Sequence, residues 1–272
     1  MIDNKATIAV IFGLRNERSI AFSIAQKLKA SGCRLAFSYT PDTKEDVLAL
    51  MTEHYFDGSL VAEVDVRNEE QITRFLTQVH TEMGAISYLL HAVAYGNPQV
   101  MCSTFYGSKE KPSRYLDIPF DDLVDSFNIS AYSLLRICRV AEPLLAQGAS
   151  ILTLTYNASQ RVFPGYAGMG LNKAALENIM LYLANYFGKQ GIRVNALSAG
   201  LVMTSSSGGI NGIRKLRKFG KTLAPLGNIA VQDVGNAALY YFSALSQGVT
   251  GNVHYVDGGF NIMGVPDDEN LS

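Results

Sequence analysis

Residues 7–30 read TIAVIFGLRNERSIAFSIAQKLKA, and the reading of this stretch decides the fold. Residues 7–12 are a short apolar, partly β-branched run that ends at Gly13, the pattern of a buried strand. Gly13 permits a tight turn after that strand. Ser19 can cap a helix that starts at Ile20, and Ala21 lets the helix approach a sheet closely. The free backbone N–H groups at Ser19 and Ile20 then face outward and form a natural seat for a pyrophosphate. A plain strand–turn–helix would read the same way. Only Gly13 stands where a three-glycine fingerprint would begin, so the regular expression alone is weak.

The strand–helix alternation continues along the chain. Short apolar or β-branched runs at 34–39, 60–64, 86–91, 150–155, 192–197 and 252–256 predict further strands. Amphipathic patterns at 20–30, 44–54, 69–83, 120–145, 165–188 and 231–245 predict helices between them. Strands joined by helical crossovers give a parallel sheet covered on both faces. With right-handed crossovers, the expected fold is a doubly wound, Rossmann-type α/β sheet of about seven strands. The expected organisation is one domain over residues 1–265, followed by a tail at 266–272. Ligands in such folds sit beyond the carboxyl ends of the strands. Segments 92–119 and 199–230 follow strands and exceed ordinary loop length, which marks them as substrate loops.

Composition narrows the function classes. The 272 residues are 48% hydrophobic and 17% charged, with a formal net charge of −1. That supports a substantial core and gives no bulk signature of a nucleic-acid binder. Cys33, Cys102 and Cys138 are widely spaced, with no Cys-x-x-Cys. His54, His80, His91 and His254 show no ligand spacing. No metal site or disulfide framework is expected, and a reducing cytoplasm is the default. The apolar run near the start is too short for a signal-peptide core or a membrane span.

The ends of the second and third strands bear on the cofactor. An acidic reader of a ribose is expected at the tip of the second strand. Here the segment reads Ser38-Tyr39-Thr40-Pro41-Asp42, with no acid at the tip and no arginine for a 2′-phosphate. Asp42 disfavours NADPH and Lys44 favours it; the balance leans to NADH and leaves NADPH open. Asp65 and Val66, after the third strand, are placed to flank an adenine ring.

Residues 156–173 read YNASQRVFPGYAGMGLNK. Pro164 marks a helix entry near Gly165. Tyr166 and Lys173 would then lie two turns apart on one helix face, about 10 Å between α-carbons. An ammonium near a phenol lowers the phenol's pKa and makes it a better donor to a developing oxyanion. The same lysine could hold ribose hydroxyls. Two phenols and an amine, with no histidine or carboxylate among them, fit hydride chemistry, in which the cofactor performs the hard step.

These residues carry a resemblance to the short-chain dehydrogenase/reductase superfamily, and within it to the enoyl-[acyl-carrier-protein] reductases of bacterial fatty-acid synthesis. Gly13 followed by Ser19-Ile20-Ala21 is similar to that branch's shortened cofactor loop. Leu35-Ala36-Phe37-Ser38-Tyr39, Asp65-Val66 and His91 fall where its pattern has them. Tyr156, Tyr166 and Lys173 match its two-tyrosine and lysine signature. Arg193-Val194-Asn195-Ala196-Leu197-Ser198-Ala199-Gly200 and Val256-Asp257-Gly258-Gly259-Phe260 complete the set. The resemblance implies reduction of a trans-2-enoyl thioester, with Tyr156, Tyr166 and Lys173 as the catalytic set. It implies cofactor contacts from Gly13, Ser19, Ile20, Thr40, Asp65, Val66, Val93, Lys173, Val202 and Thr204. It also implies substrate contacts from Gly96, Tyr156, Tyr166, Met203 and Ser206, an acyl-carrier protein as partner, and a homotetramer.

The chain departs from the branch at Arg15, at Thr40, at Ala92 and at Leu201-Val202-Met203-Thr204, where a proline usually stiffens the loop. Segment 97–119 also looks a few residues longer. Residues 208–221 place Arg214, Lys215, Arg217, Lys218 and Lys221 beside a Ser/Gly-rich hinge, with Ile210, Ile213 and Leu216 at helical spacing. They read either as a solvated amphipathic helix or as a lid whose basic face docks an acidic carrier. Two rival functions remain. One is a short-chain dehydrogenase for another enoyl or carbonyl substrate; the other is a non-catalytic dinucleotide-binding regulator.

Overall fold

The computed structural model describes residues 4–52, 55–103, 111, 113–204 and 213–265. Ser206, His54, the tail 266–272 and parts of both substrate segments lie outside the described residues.

Seven strands among the described residues form one sheet in the order β3-β2-β1-β4-β5-β6-β7. They are β1 (Ile8–Phe12), β2 (Arg34–Tyr39), β3 (Leu60–Glu63), β4 (Ile86–His91), β5 (Leu145–Thr155), β6 (Arg193–Ala199) and β7 (Val253–Val256). Every pairing is parallel. The strand order reverses between β1 and β4, which opens a crevice at their carboxyl ends. The helices are α1 (Ile20–Ala30), α2 (Lys44–Thr52), α3 (Glu69–Met83), the one-turn α4 (Pro98–Met101), α5 (Phe120–Phe127), α6 (Ser133–Ala141), α7 (Ala167–Gly188), α8 (Ile213–Leu223) and α9 (Val231–Tyr241).

The side-chain period of two in β1 builds both cores. Ile8, Val10 and Phe12 face one layer, with Ile72 and Leu76 of α3, Ile137 of α6 and Met180 of α7. Ala9 and Ile11 face the other, with Ile24 and Leu28 of α1, Val47 of α2 and Val234 of α9. Because both faces are covered, β1 is buried at every position. Each fully buried Leu, Ile or Phe contributes about 1.5–3 kcal/mol against exposure.

Besides end shifts of one to four residues elsewhere, four expected elements differ in the structure. The helix expected over 120–145 is divided. A π-helical turn at Asn128–Tyr132 separates α5 from α6, and a 3-10 turn at Glu142–Leu144 ends the run. Pro143 explains the end, since its ring removes a helical N–H. β5 then starts at Leu145, five residues before the expected strand. The third strand stops at Glu63 rather than 64. The helix expected from 165 starts at Ala167, because Gly165 has φ +81° and Tyr166 sits at the N-cap with φ −138°. Tyr166 is therefore just outside the helix that carries Lys173.

Candidate active site

The crevice floor begins at Gly13. Its φ is +94°, and a Cβ there would lie 2.3 Å from the Ala92 carbonyl oxygen. A side chain at residue 13 would drive the β1 and β4 turns apart. Ser19 caps α1: its hydroxyl donates to Asn16 O at 2.7 Å and accepts from Phe22 N at 3.2 Å. Ile20 opens the helix, and the α1 N-terminus points into the crevice mouth. Thr40 closes β2 and caps a 3-10 turn at Pro41–Thr43, and its hydroxyl lies 2.5 Å from the Asp42 carboxylate. A negative charge is thus fixed beside the β2 tip.

The β3 loop is held more firmly than its sequence indicates. The Arg67 guanidinium grips the Asp65 carboxylate with contacts of 2.8–3.1 Å and reaches Asp125 of α5 at 3.1 Å. Hydrogen bonds from Arg67 hold the Asp65 carboxyl below its ordinary range. Arg136 of α6 donates to Val66 O at 2.7 Å and to Asn128 Oδ1 at 2.8 Å. Two arginines therefore preset the expected adenine wall. An arginine two residues after Asp65 was the available signal for the first; nothing local announced the second.

After β4, Val93 packs on the core layer of α3, α6 and α7. Tyr95 N donates to Ser130 Oγ at 2.8 Å, while Ser126 Oγ donates to Tyr95 O at 2.8 Å. Ser130 belongs to the π turn, so the extra backbone residue presents a hydroxyl to the crevice loop. Gly96 lies against α7, where a Cβ would meet Met169 Cγ at 2.8 Å. His91 is wholly buried, with Nε2 2.8 Å from Ser133 Oγ and Nδ1 2.9 Å from Thr153 Oγ1. Burial, aided by the Lys173 charge, pushes the imidazole down to about 3, so it stays neutral.

The two phenols meet at the carboxyl end of β5, and the amine is tied to the same strand end. Tyr156 follows the last β5 residue, and its ring meets that of Tyr166 edge-on at 5.1 Å. Phe163 packs on the other side of Tyr156 at 4.8 Å, and Phe260 packs on Phe163 at 5.9 Å. The aromatic pair Phe163–Phe260 fixes the Tyr156 ring and was not anticipated; its members are about 100 residues apart in a Pro-Gly loop and a Gly-Gly turn. The Tyr156 hydroxyl is enclosed and has no hydrogen-bond partner, which suits a site built for a ligand atom. Lys173 is 4% exposed, and its ammonium donates to Leu154 O at 2.8 Å. Thr155, the next residue, donates to Glu177 of α7 at 2.6 Å. These two clamps tie the end of β5 to α7 on either side of the peptide that leads to Tyr156.

The electrostatics correct one expectation. The Tyr166 phenol is not lowered by the lysine; burial pushes it up to about 12. Burial, then the neighbouring Tyr166 and Asp257, push Tyr156 up as well. Both phenols therefore stay protonated and able to donate at neutral pH. Burial lowers Lys173 to about 8, with Glu177 opposing. The arrangement can present a neutral O–H and an ammonium, both at the end of β5, to developing negative charge.

After β6, Val202 is buried and donates to Gly200 O at 2.8 Å. Thr204 and Met203 are half-buried on the same segment. Leu201, where the resemblance has proline, packs on α8: a Cβ at Gly220 would meet Leu201 Cδ1 at 2.6 Å. A hydrophobic contact with α8 thus constrains a loop that lacks the proline ring.

A family profile described as enoyl-(acyl carrier protein) reductase matches residues 13–261. The chain is 40% identical over 256 residues to the enoyl-[acyl-carrier-protein] reductase [NADH] of Rickettsia typhi, covering 94% of each. It is 37% identical to the enzyme of that name from Synechocystis, covering 97% of this chain and 100% of the other. Among solved structures, the Bacillus cereus enoyl-acyl carrier protein reductase with NADP+ and indole naphthyridinone superposes with a TM-score of 0.90 at 35% identity, covering 97% of this chain and 100% of that one. The Anaplasma phagocytophilum enzyme in complex with NAD gives 0.87 at 34% identity, covering 97% and 95%.

Proposed function

The chain belongs to the enoyl-(acyl carrier protein) reductase family, and from that premise we infer how its own residues carry out the reaction. The protein is an NADH-dependent oxidoreductase that reduces the 2,3 double bond of enoyl thioesters. The contact between Tyr156 and Tyr166 at the end of β5, with Lys173 tied to the same strand end, supports this reading. The β1/β4 crevice fits a dinucleotide: Gly13 brings two backbones together there, and the α1 N-terminus opens onto it. Gly13, Ser19 and Ile20 would hold the pyrophosphate, Asp65 and Val66 the adenine, and Val93, Val202 and Thr204 the nicotinamide end.

When bound, the reduced nicotinamide supplies a hydride to the β-carbon of the enoyl thioester. Tyr166 donates a hydrogen bond to the thioester oxygen, where the negative charge collects. Lys173 keeps one N–H on Leu154 O and offers the others to ribose hydroxyls. Tyr156 would line the acyl side with Gly96 and Met203, and the α-carbon of the resulting enolate would take a proton from solvent. The Asp42 carboxylate beside Thr40 supports NADH over NADPH, because a 2′-phosphate there would meet a like charge. Loss of absorbance at the reduced-nicotinamide band tests the reading. With crotonyl and longer enoyl thioesters, NADH is consumed at least about ten-fold more efficiently than NADPH, the ratio expected for one such repulsion. Turnover of ketones but not enoyl thioesters would contradict it.

The carrier protein is the natural donor of such thioesters. Lys215 is exposed on α8, a helix whose residues include no acid, and it would meet an acidic carrier. Lys215→Glu is expected to raise KM for a carrier-linked substrate several-fold at low salt, and less at high salt. An unchanged KM at low salt would remove Lys215 from docking. The assembly is proposed to be a homotetramer. Leu181, Tyr182 and Tyr186 leave an exposed apolar stripe on α7 that suits a second copy. Sedimentation should give the mass of four chains, and a monomer at micromolar concentration would contradict this. No helix among the described residues is long and apolar enough to cross a membrane.

A further inference from the structure

A groove of about 400 Å³ lies between α8 and the segment after β6, lined by Met203, Arg217, Lys218, Lys221 and Asn228. Three cations face it and none of its lining residues is acidic. The Arg217 Nε is enclosed and has no hydrogen-bond acceptor. Asn228 donates from its amide to Arg217 O at 3.1 Å and anchors that turn of α8 to the chain beyond it. α8 is held at this distance by the close approach of Gly220 to Leu201. A buried guanidinium N–H without an acceptor is costly unless a ligand supplies one. A planar guanidinium with two flexible ammonium groups suits the oxygens of a phosphate. A simple solvated face would leave the Nε in water.

We propose that this groove is a phosphate seat for the thioester's pantetheine arm, distinct from the surface that meets the carrier. The proposal rests on the reading of the protein as an enoyl-thioester reductase and names the part of the substrate that the groove holds. Met203 lines the groove and lies on the segment that follows β6, the strand beside β5. The phosphate would anchor the far end of the arm while the thioester reaches Tyr166. The same chemistry is offered by a carrier-bound arm and by a free coenzyme thioester.

Direct titration separates this idea from the reading beneath it. Calorimetry with 4′-phosphopantetheine and with pantetheine should show binding about ten-fold tighter for the phosphorylated compound, the value of one charge-assisted hydrogen bond. Arg217→Gln and Lys221→Gln should each reduce that ratio towards one. Lys221 is exposed, so its variant keeps the test valid if Arg217→Gln fails to fold. Equal affinities in the wild type, or a ratio that survives both substitutions, would overturn the seat whatever the turnover assay shows. KM values for crotonyl-pantetheine, crotonyl-4′-phosphopantetheine and the coenzyme thioester then identify the source. A KM gain shared by both phosphorylated substrates supports a seat for the phosphate itself, and no gain with either contradicts it.

Discussion

Tyr166→Phe loses about two to three orders of magnitude in turnover and still binds NADH. The size follows from removal of one donor to a developing oxyanion, about 3–4 kcal/mol of barrier. The direction follows from the protonated phenol at the N-cap of α7, beside the end of β5. Phenylalanine keeps the ring that packs against Tyr156, so the fold and the cofactor crevice survive. Cofactor titration by fluorescence and single-turnover kinetics separate the two effects. Turnover within a few-fold of the wild type would take Tyr166 out of the chemistry.

Lys173→Met separates activity from stability. Burial drops the Lys173 ammonium from 10.5 to about 8. Between those values the unfolded chain holds a proton that the folded chain has given up, so this group makes stability rise with pH across that window. Below about pH 8 the fold bears the full cost of the buried charge, roughly 3 kcal/mol. Methionine removes that cost and forfeits one bond to Leu154 O, about 1 kcal/mol. At pH 7 the variant is expected to be at least as stable as the wild type, by thermal melting without cofactor. Its turnover should fall at least about a hundred-fold, because the ribose loses its positioning group. In the wild type, kcat/KM should decline as pH rises through about 8, where the free enzyme loses the ammonium. A variant that melts far below the wild type would mean that Lys173 supports the fold rather than the reaction.

The sheet was legible because β1 and its neighbours are bounded by glycine turns and their helices are amphipathic. Covering both faces gives continuous apolar strands, and that pattern needs no tertiary information. The division of 120–145 was half legible. Pro143 was a visible breaker, whereas the π turn at Asn128–Tyr132 leaves the apolar periodicity nearly intact and depends on Ser130 meeting Tyr95. The site's components were legible by position, since each follows a strand. Their electrostatics were not. Spacing placed an amine near a phenol, but the lysine is drawn to Leu154 O and burial raises the phenol instead. The supports contributed by Phe163, Phe260, Arg67 and Arg136 come from distant segments or ordinary loop chemistry, which no local pattern distinguishes.

A crystal structure of the chain with oxidised cofactor and a crotonyl thioester tests the central claim most directly. The account predicts the Tyr166 hydroxyl about 2.5–3.0 Å from the thioester oxygen, with the Lys173 ammonium on the nicotinamide ribose and still bonded to Leu154 O. A complex in which Tyr166 turns away from the thioester, or Lys173 contacts no part of the cofactor, would contradict it.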